Sequence, residues 1–155
     1  MKITETCLLE DRGIIYIEGP DTKEFLQNII TNNLDKISDK QSIYSSLLTP
    51  QGKYLFEFFI LKLKDDFLIE CEKESTEEII KLLNFYKLRS KVELVDLSEK
   101  YVAAIISLEK FKEINSSDAS KGKTINYEDS PIYIDPRNEK LGAKIISKLE
   151  NIHLT

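Results

Sequence analysis

The stretch SLLTPQGKYLFEFFILKLKDDFLIEC, Ser46 to Cys71, decides the fold. Two apolar runs flank Thr49-Pro50-Gln51-Gly52, a turn signal in which Pro presets one dihedral and Gly supplies the other. The run Tyr54 to Leu63 is apolar almost throughout, which predicts a long strand covered on both faces. Lys64-Asp65-Asp66 turns the chain, and Phe67 to Cys71 pairs back. Together with Ser42 to Leu48, these segments predict an antiparallel three-stranded unit.

The same patterns extend outward. Cys7 to Leu9 and Gly13 to Glu18 predict two short strands around a tight turn at Glu10-Asp11-Arg12. Asp21, with Glu24 three residues on, predicts a capping box. The helix that follows carries Phe25, Leu26, Ile29 and Ile30 on one face, and Thr31-Asn32-Asn33 stops it. Ser75 and Glu78 predict a second capping box, on a helix running to about Lys87 with Ile79, Leu82, Leu83 and Tyr86 inward. Strands follow at Val92 to Val95, Val102 to Ser107 and Pro131 to Ile134. A short helix is predicted at Leu108 to Ile114, a loop at Asn115 to Lys123, and a further strand at Leu141 to Ile146. Strand pairs alternating with single helices argue for α+β, with helices packed on one face of antiparallel or mixed sheets, related to the split βαβ pattern.

The totals set limits on function. At 155 residues the chain is the size of one domain and long enough to bury a real core. Its 22 Lys and Arg against 27 Asp and Glu give a net charge of −5, so neither a nucleic acid nor an anionic membrane is an expected partner. Cys7, Cys71 and the single His153 lack metal-ligand spacing, and no metal site is expected. Free thiols point to a reducing compartment, read as the cytoplasm. No signal-peptide core and no run of ~18 apolar residues occurs.

Chemistry must come from polar residues in otherwise apolar places. Glu57 lies within the long strand, where alternation puts it on the face of Leu55 and Phe59, opposite Phe56 and Phe58. It is either a solvent-facing edge position or a carboxylate that accepts hydrogen bonds from a planar, donor-rich heterocycle. Glu70 on the pairing strand poses the same choice. Asn28, Asn32 and Asn33 are either caps and turn formers or site residues. Arg89, with Lys91, either complements a helix C-terminus or holds an anionic ligand tail. The chain carries no nucleophile elbow, phosphate loop or dinucleotide fingerprint, so no catalytic residue is assigned.

Four segments in order resemble the folate-binding family that includes YgfZ and the glycine cleavage T-protein, an aminomethyltransferase. They are Ile15 to Leu34, Leu47 to Ile60, Phe67 to Leu94 and Ile134 to Lys144. The GK after the turn, the IE closing the next strand and the KLRSKV after the helix are similar to the YgfZ-like branch. The resemblance implies ferredoxin-like subdomains around a tetrahydrofolate site, with Glu57, Glu70, Asn33, Tyr54 and Arg89 as candidate folate contacts. It further implies a part in the maturation or repair of iron–sulfur proteins, with such clients as partners. Glu57 matches one of two adjacent acidic positions of the T-protein turn and Phe56 occupies the other, which argues against aminomethyl transfer. The KGCYxGQE-type motif and the C-terminal barrel of the branch are absent from the sequence. The chain is therefore expected to be an N-terminal portion, with two intertwined subdomains at about 1–45 with 97–155 and about 46–96. Folate binding would then be weak or absent unless a partner or a dimer completes the site, and the third reading is a ligand-free interaction domain forming a homodimer through the surface left by the missing half.

Overall fold

The computed structural model describes residues 3–49, 51–115 and 119–154; at residues 3–5, 54 and 152–154 it describes the backbone alone. Pro50 of the predicted turn thus lies outside the described residues. The chain runs β1 (Ile3–Leu9), β2 (Arg12–Glu18), α1 (Thr22–Gln27), β3 (Ile43–Leu48), β4 (Tyr54–Leu63), β5 (Asp66–Glu72), α2 (Thr76–Lys87) and β6 (Glu93–Asp96). It continues with β7 (Tyr101–Ile106), α3 (Leu108–Ile114), β8 (Thr124–Tyr127), β9 (Ser130–Ile134), β10 (Ala143–Lys148) and β11 (Ile152–Leu154).

The strands form a five-stranded sheet ordered β3-β4-β5-β2-β6 and a six-stranded sheet ordered β11-β1-β7-β10-β9-β8. Pairing is antiparallel except between β1 and β11. The turn at Glu10-Asp11 carries the chain from one sheet to the other instead of closing a hairpin.

Period-2 alternation gives each sheet two apolar faces, and each face has its own cover. Ile15, Ile17, Phe58, Ile60 and Ile69 pack under Phe25, Leu26, Ile79 and Leu83 of α1 and α2. On the six-stranded sheet, Ala104, Ile132, Ile134 and Ile145 pack under Phe111 of α3. Between the sheets lie Ile14, Phe59, Leu61 and Leu68 against Ala103, Tyr133 and Ile146. The order of layers is helix, sheet, sheet, helix. The apolar reading of β4 holds because its two faces belong to two different cores.

Local expectations hold unevenly. The hairpin turn is held by Gly52 N donating to Thr49 O at 2.8 Å, with Gly52 at φ +82°, which favours glycine. Neither capping box forms. Asp21 N-caps α1 without a side-chain bond to the helix, because its carboxylate accepts from Lys91 N at 2.8 Å instead. Ser75 makes no cap bond either, since a 3₁₀ turn at Lys73–Ser75 leads directly into α2. Strand β8 has no counterpart in the sequence reading. Its two-residue hairpin to β9 places Glu128 at φ +48° and Asp129 at φ +67°, a turn usually signalled by Asn-Gly.

Candidate functional site

The β3–β4 pairing slips between Leu47 and Leu48, which face Phe56 and Tyr54, leaving Leu55 as the extra residue of a bulge. Beyond the bulge, Phe58 and Ile60 face the helices, while Phe59 and Leu61 face the other sheet. Alternation puts Glu57 on this inter-sheet side, at its exposed end.

Phe59 is the hub of the polar end of that layer. Its ring lies 5.4 Å from Tyr44 and 5.7 Å from Tyr133. Three cations approach the same ring: Lys144 Nζ at 4.0 Å from the centroid, the Arg137 guanidinium at 4.9 Å and the Arg12 guanidinium at 6.0 Å. A desolvated aromatic face attracts cations through its quadrupole.

Glu70, opposite Phe59 in the β4–β5 register, is fully buried. A buried carboxylate requires partners. Arg12 Nε donates to its Oε1, while Tyr133 Oη donates to Oε2 at 3.0 Å and Lys144 Nζ to Oε2 at 3.3 Å. The two cations respond differently. Burial, with the Arg12 charge behind it, lowers the Lys144 pKa more than Glu70 restores it. For Arg12 burial is the largest single influence and acts downward, but the Glu70 bond and the Glu70 charge together, with smaller help from Tyr133 and Cys71, outweigh it and the guanidinium is raised. Burial first, and then the Glu70 charge, push the Tyr133 phenol well above its usual value.

A second ion pair adjoins the first. Arg137 grips Asp135 through Nε at 3.0 Å, Nη2 at 2.7 Å and its backbone N at 2.8 Å. Burial alone would raise the Asp135 carboxyl; the Arg137 bonds overcome it and hold the carboxyl below its usual range.

These groups border a pocket of about 380 Å³. Arg12, Arg137 and Lys144 line it from the floor side, and Asp11, Glu57 and Glu72 supply three carboxylates to the same lining. Tyr44, Phe56 and Ser75 complete much of the wall. The lining therefore presents both hydrogen-bond donors and acceptors, and its three cations are already paired with Glu70 and Asp135 behind it.

Of the residues singled out from the sequence, two come together here. Glu57 lines the pocket, and its charge helps raise the Arg137 pKa; Glu70 lies behind the floor, bound to two of the lining cations. Asn33 instead caps a 3₁₀ turn, accepting from Asp35 N at 2.9 Å, and does not line the pocket. Arg89 is exposed beyond α2, also outside this lining. The side chain of Tyr54 lies outside the described residues. Asn32 donates to Tyr44 O at 2.9 Å, a structural tie to β3, and Asn28 caps α1. The sequence reading missed Arg12, Tyr133, Asp135, Arg137 and Lys144. Asp135, Arg137 and Lys144 fall within the resembling segment Ile134 to Lys144, but no local pattern marks them as site residues.

Among the described residues no group of three or more His, Cys, Asp or Glu is arranged to hold a metal ion. Among them, too, no helix is long and apolar enough to cross a membrane.

The geometry defines an α+β protein of two stacked sheets with outer helices and a polar pocket at one end of the inter-sheet layer. The model of the GCVT N-terminal domain family matches residues 9–107, more than half of the chain, and the chain belongs to that family. Its architecture is similar to that of the glycine cleavage system aminomethyltransferase T from Bartonella henselae, with a TM-score of 0.73 at 13% identity, over 99% of this chain and 48% of the other. Among curated proteins, it is similar to the iron-sulfur cluster assembly factor IBA57 homolog, mitochondrial, of Dictyostelium discoideum, with 26% identity over 89% of this chain and 40% of that protein. The mouse iron-sulfur cluster assembly factor IBA57, mitochondrial, is 28% identical over 65% of this chain and 32% of its own length. The chain thus spans 40% or less of the length of these two curated relatives and under half of the T-protein. The expected kinship to the T-protein and YgfZ-like fold is borne out, as is the α+β architecture, with no barrel among the described residues.

Proposed function

We propose that this chain is the tetrahydrofolate-binding N-terminal module of a YgfZ-like protein that serves the maturation or repair of iron–sulfur proteins. The observation that carries the reading is the run of relatives named as iron–sulfur cluster assembly factors, one of them aligned over 89% of the chain. The pocket supports its folate half. A pterin is an uncharged ring with N–H donors on one edge and a carbonyl acceptor nearby. Glu57 would accept from the donors, and Arg12 and Lys144 would donate to the acceptor, all three lining one cavity of about 380 Å³. The reading places the protein in the cytoplasm, whereas the relatives above are named mitochondrial.

Calorimetric titration with tetrahydrofolate or its formyl derivative tests the binding half. Saturable binding that Glu57→Ala weakens is the expected result. Equal binding by the variant would remove Glu57 from the site, and no binding at all would remove the folate reading. Clients are tested by co-purification of iron–sulfur enzymes and by their activity when the gene is deleted.

Aminomethyl transfer is the weaker reading. It draws on the likeness to a T-protein, but Phe56 packs against the helix-side core and Glu57 is left as the turn's one acid at the pocket. Release of ammonia from aminomethylated lipoyl carrier protein in the presence of tetrahydrofolate would favour it over the first.

A further inference from the structure

Strands β2, β4 and β5 each run from the pocket above to a second concavity at their opposite ends. Arg12 lines the first and Glu18 the second; Phe59 and Lys62 stand in the same relation, as do Glu72 and Phe67. The second is a groove of about 670 Å³ between the sheet and the segment after α1. Leu34, Ile37 and Phe67 give it apolar surface, and Glu18, Asp65, Asp66 and Glu93 give it four carboxylates.

Three features set this groove apart from an ordinary solvated acidic surface. Glu18 and Glu93 are direct cross-strand partners, an arrangement of like charges that destabilises a sheet unless a cation lies near. The two lysines of the lining point their charge elsewhere: Lys23 Nζ is 2.7 Å from Asp35 and Lys62 Nζ is 3.9 Å from Asp39, neither of which lines the groove. None of the four groove carboxylates forms an ion pair among the described residues. Independently, the side chain of Thr22 lines the groove at 2% exposure, and its Oγ1 has no hydrogen-bond partner. A buried hydroxyl without a partner costs stability, and a bound N–H group would satisfy it. The negative field is also felt by Tyr16, whose phenol is pushed up to about 12 by burial, then by Asp66, with Glu18 and Asp65 adding.

We propose that this groove docks a basic segment of a partner protein, with an arginine or lysine side chain among Glu18, Asp65 and Glu93 and an apolar neighbour on Leu34, Ile37 and Phe67. Charge complementarity selects the cation, and the apolar floor selects a peptide over a small polyamine. Asp66 is already committed to the fold, accepting from Tyr16 Oη at 2.9 Å and Gly19 N at 3.4 Å. Thr22 Oγ1, buried at the groove wall, would accept one N–H of the incoming cation once the groove closes on it. The inference does not depend on folate, because the two sites lie at opposite ends of the sheet.

The test is NMR titration of the isotope-labelled chain with an acetylated peptide of alternating leucine and arginine. Controls are the same peptide with glutamate for arginine, and spermidine. Amide shifts at Gly19, Thr22 and Glu93 are expected with the arginine peptide and not with the glutamate peptide. The variant Asp65→Asn with Glu93→Gln alters only exposed carboxylates and should raise the dissociation constant about tenfold. Thr22→Val should also weaken binding, with no lower unfolding midpoint. Binding unchanged in the double variant, or absent shifts at those amides, would overturn the site. Spermidine binding as tightly as the peptide would overturn protein docking.

Discussion

The Tyr133 hydroxyl, carried by β9 of one sheet, donates at 3.0 Å to the carboxylate of Glu70, carried by β5 of the other. Lys144 of β10 makes the same crossing at 3.3 Å. One buried acid therefore joins the two sheets next to the candidate pocket and holds two of its cations in place. Glu70→Ala would leave Arg12, Lys144 and Tyr133 without their acceptor, at a cost of about 3–5 kcal/mol. Tyr133→Phe removes one bond to a charged group and should cost roughly 1.5–3 kcal/mol. Urea unfolding of both variants and of the double variant measures the coupling. Additive losses would mean that the pair does not act as a unit.

Asp135 gives the acid side of the stability profile a definite sign. Its folded pKa lies below the ordinary carboxylate value because the Arg137 bonds outweigh burial. Stability from this group is fully present above the unfolded pKa of about 4 and is lost as pH falls through the folded value. Wild type should therefore exceed Asp135→Asn most at neutral pH, and the difference should shrink below about pH 4. Thermal unfolding midpoints across that range check this. A difference that grows on acidification would assign the opposite sign to the pair.

The two thiols should differ in reactivity. Cys7 is exposed, whereas Cys71 is buried, with its Sγ 3.8 Å from Gly13 O. Burial, its largest influence, pushes the Cys71 thiol up to about 11, so almost no thiolate forms at neutral pH. A thiol reagent at neutral pH should label one cysteine of the native chain rapidly and the second only after unfolding. On the alkaline side the raised pKa means that stability is present below the unfolded value and is lost as pH rises toward about 11. Equal labelling rates for both thiols would contradict this burial.

Strands such as β4 and β5 were legible because a continuous apolar run has one cheap solution, a strand buried on both faces. Helix α3 matched its predicted bounds for a similar reason, with Phe111 anchoring a short amphipathic turn. Strand β8 was not legible, because Glu128-Asp129 takes a conformation that the residue types do not announce. The site was half legible. Glu57 and Glu70 stand out as acids among apolar neighbours. Their partners Arg12, Arg137 and Lys144 come from segments far away in the chain, and each looks like an ordinary surface cation in its own segment. The partial burial of Arg12 and Lys144 and the pairing of Arg137 with Asp135 come from the packed sheets and the loop after β9, not from the spacing of charges in the sequence. Asn33 and Arg89 lie away from this pocket, the first capping a 3₁₀ turn and the second exposed beyond α2.

Leu88 offers a way to separate backbone strain from interface. It follows α2 at φ +45°, a conformation unfavourable to a branched residue, and its side chain is 84% exposed beside Phe85 at 73%. Glycine at the end of a helix adopts positive φ without a Cβ penalty, so Leu88→Gly should stabilise the monomer by about 1 kcal/mol. Exposed apolar side chains of this size also mark association surfaces, and Phe85 lies in a shallow concavity with Leu55, Phe56 and Leu82. If this face forms the proposed homodimer, Leu88→Gly and Phe85→Ser should both weaken it. The unfolding midpoint of the wild type would then rise with protein concentration, and that of the variants would not. Sedimentation equilibrium and denaturation at several concentrations distinguish the cases. A concentration-independent midpoint with a stabilised Leu88→Gly would show that the residue is strained and the face unpaired. A concentration-dependent midpoint lost in both variants would make the face the dimer contact, with the strain at Leu88 offset by association.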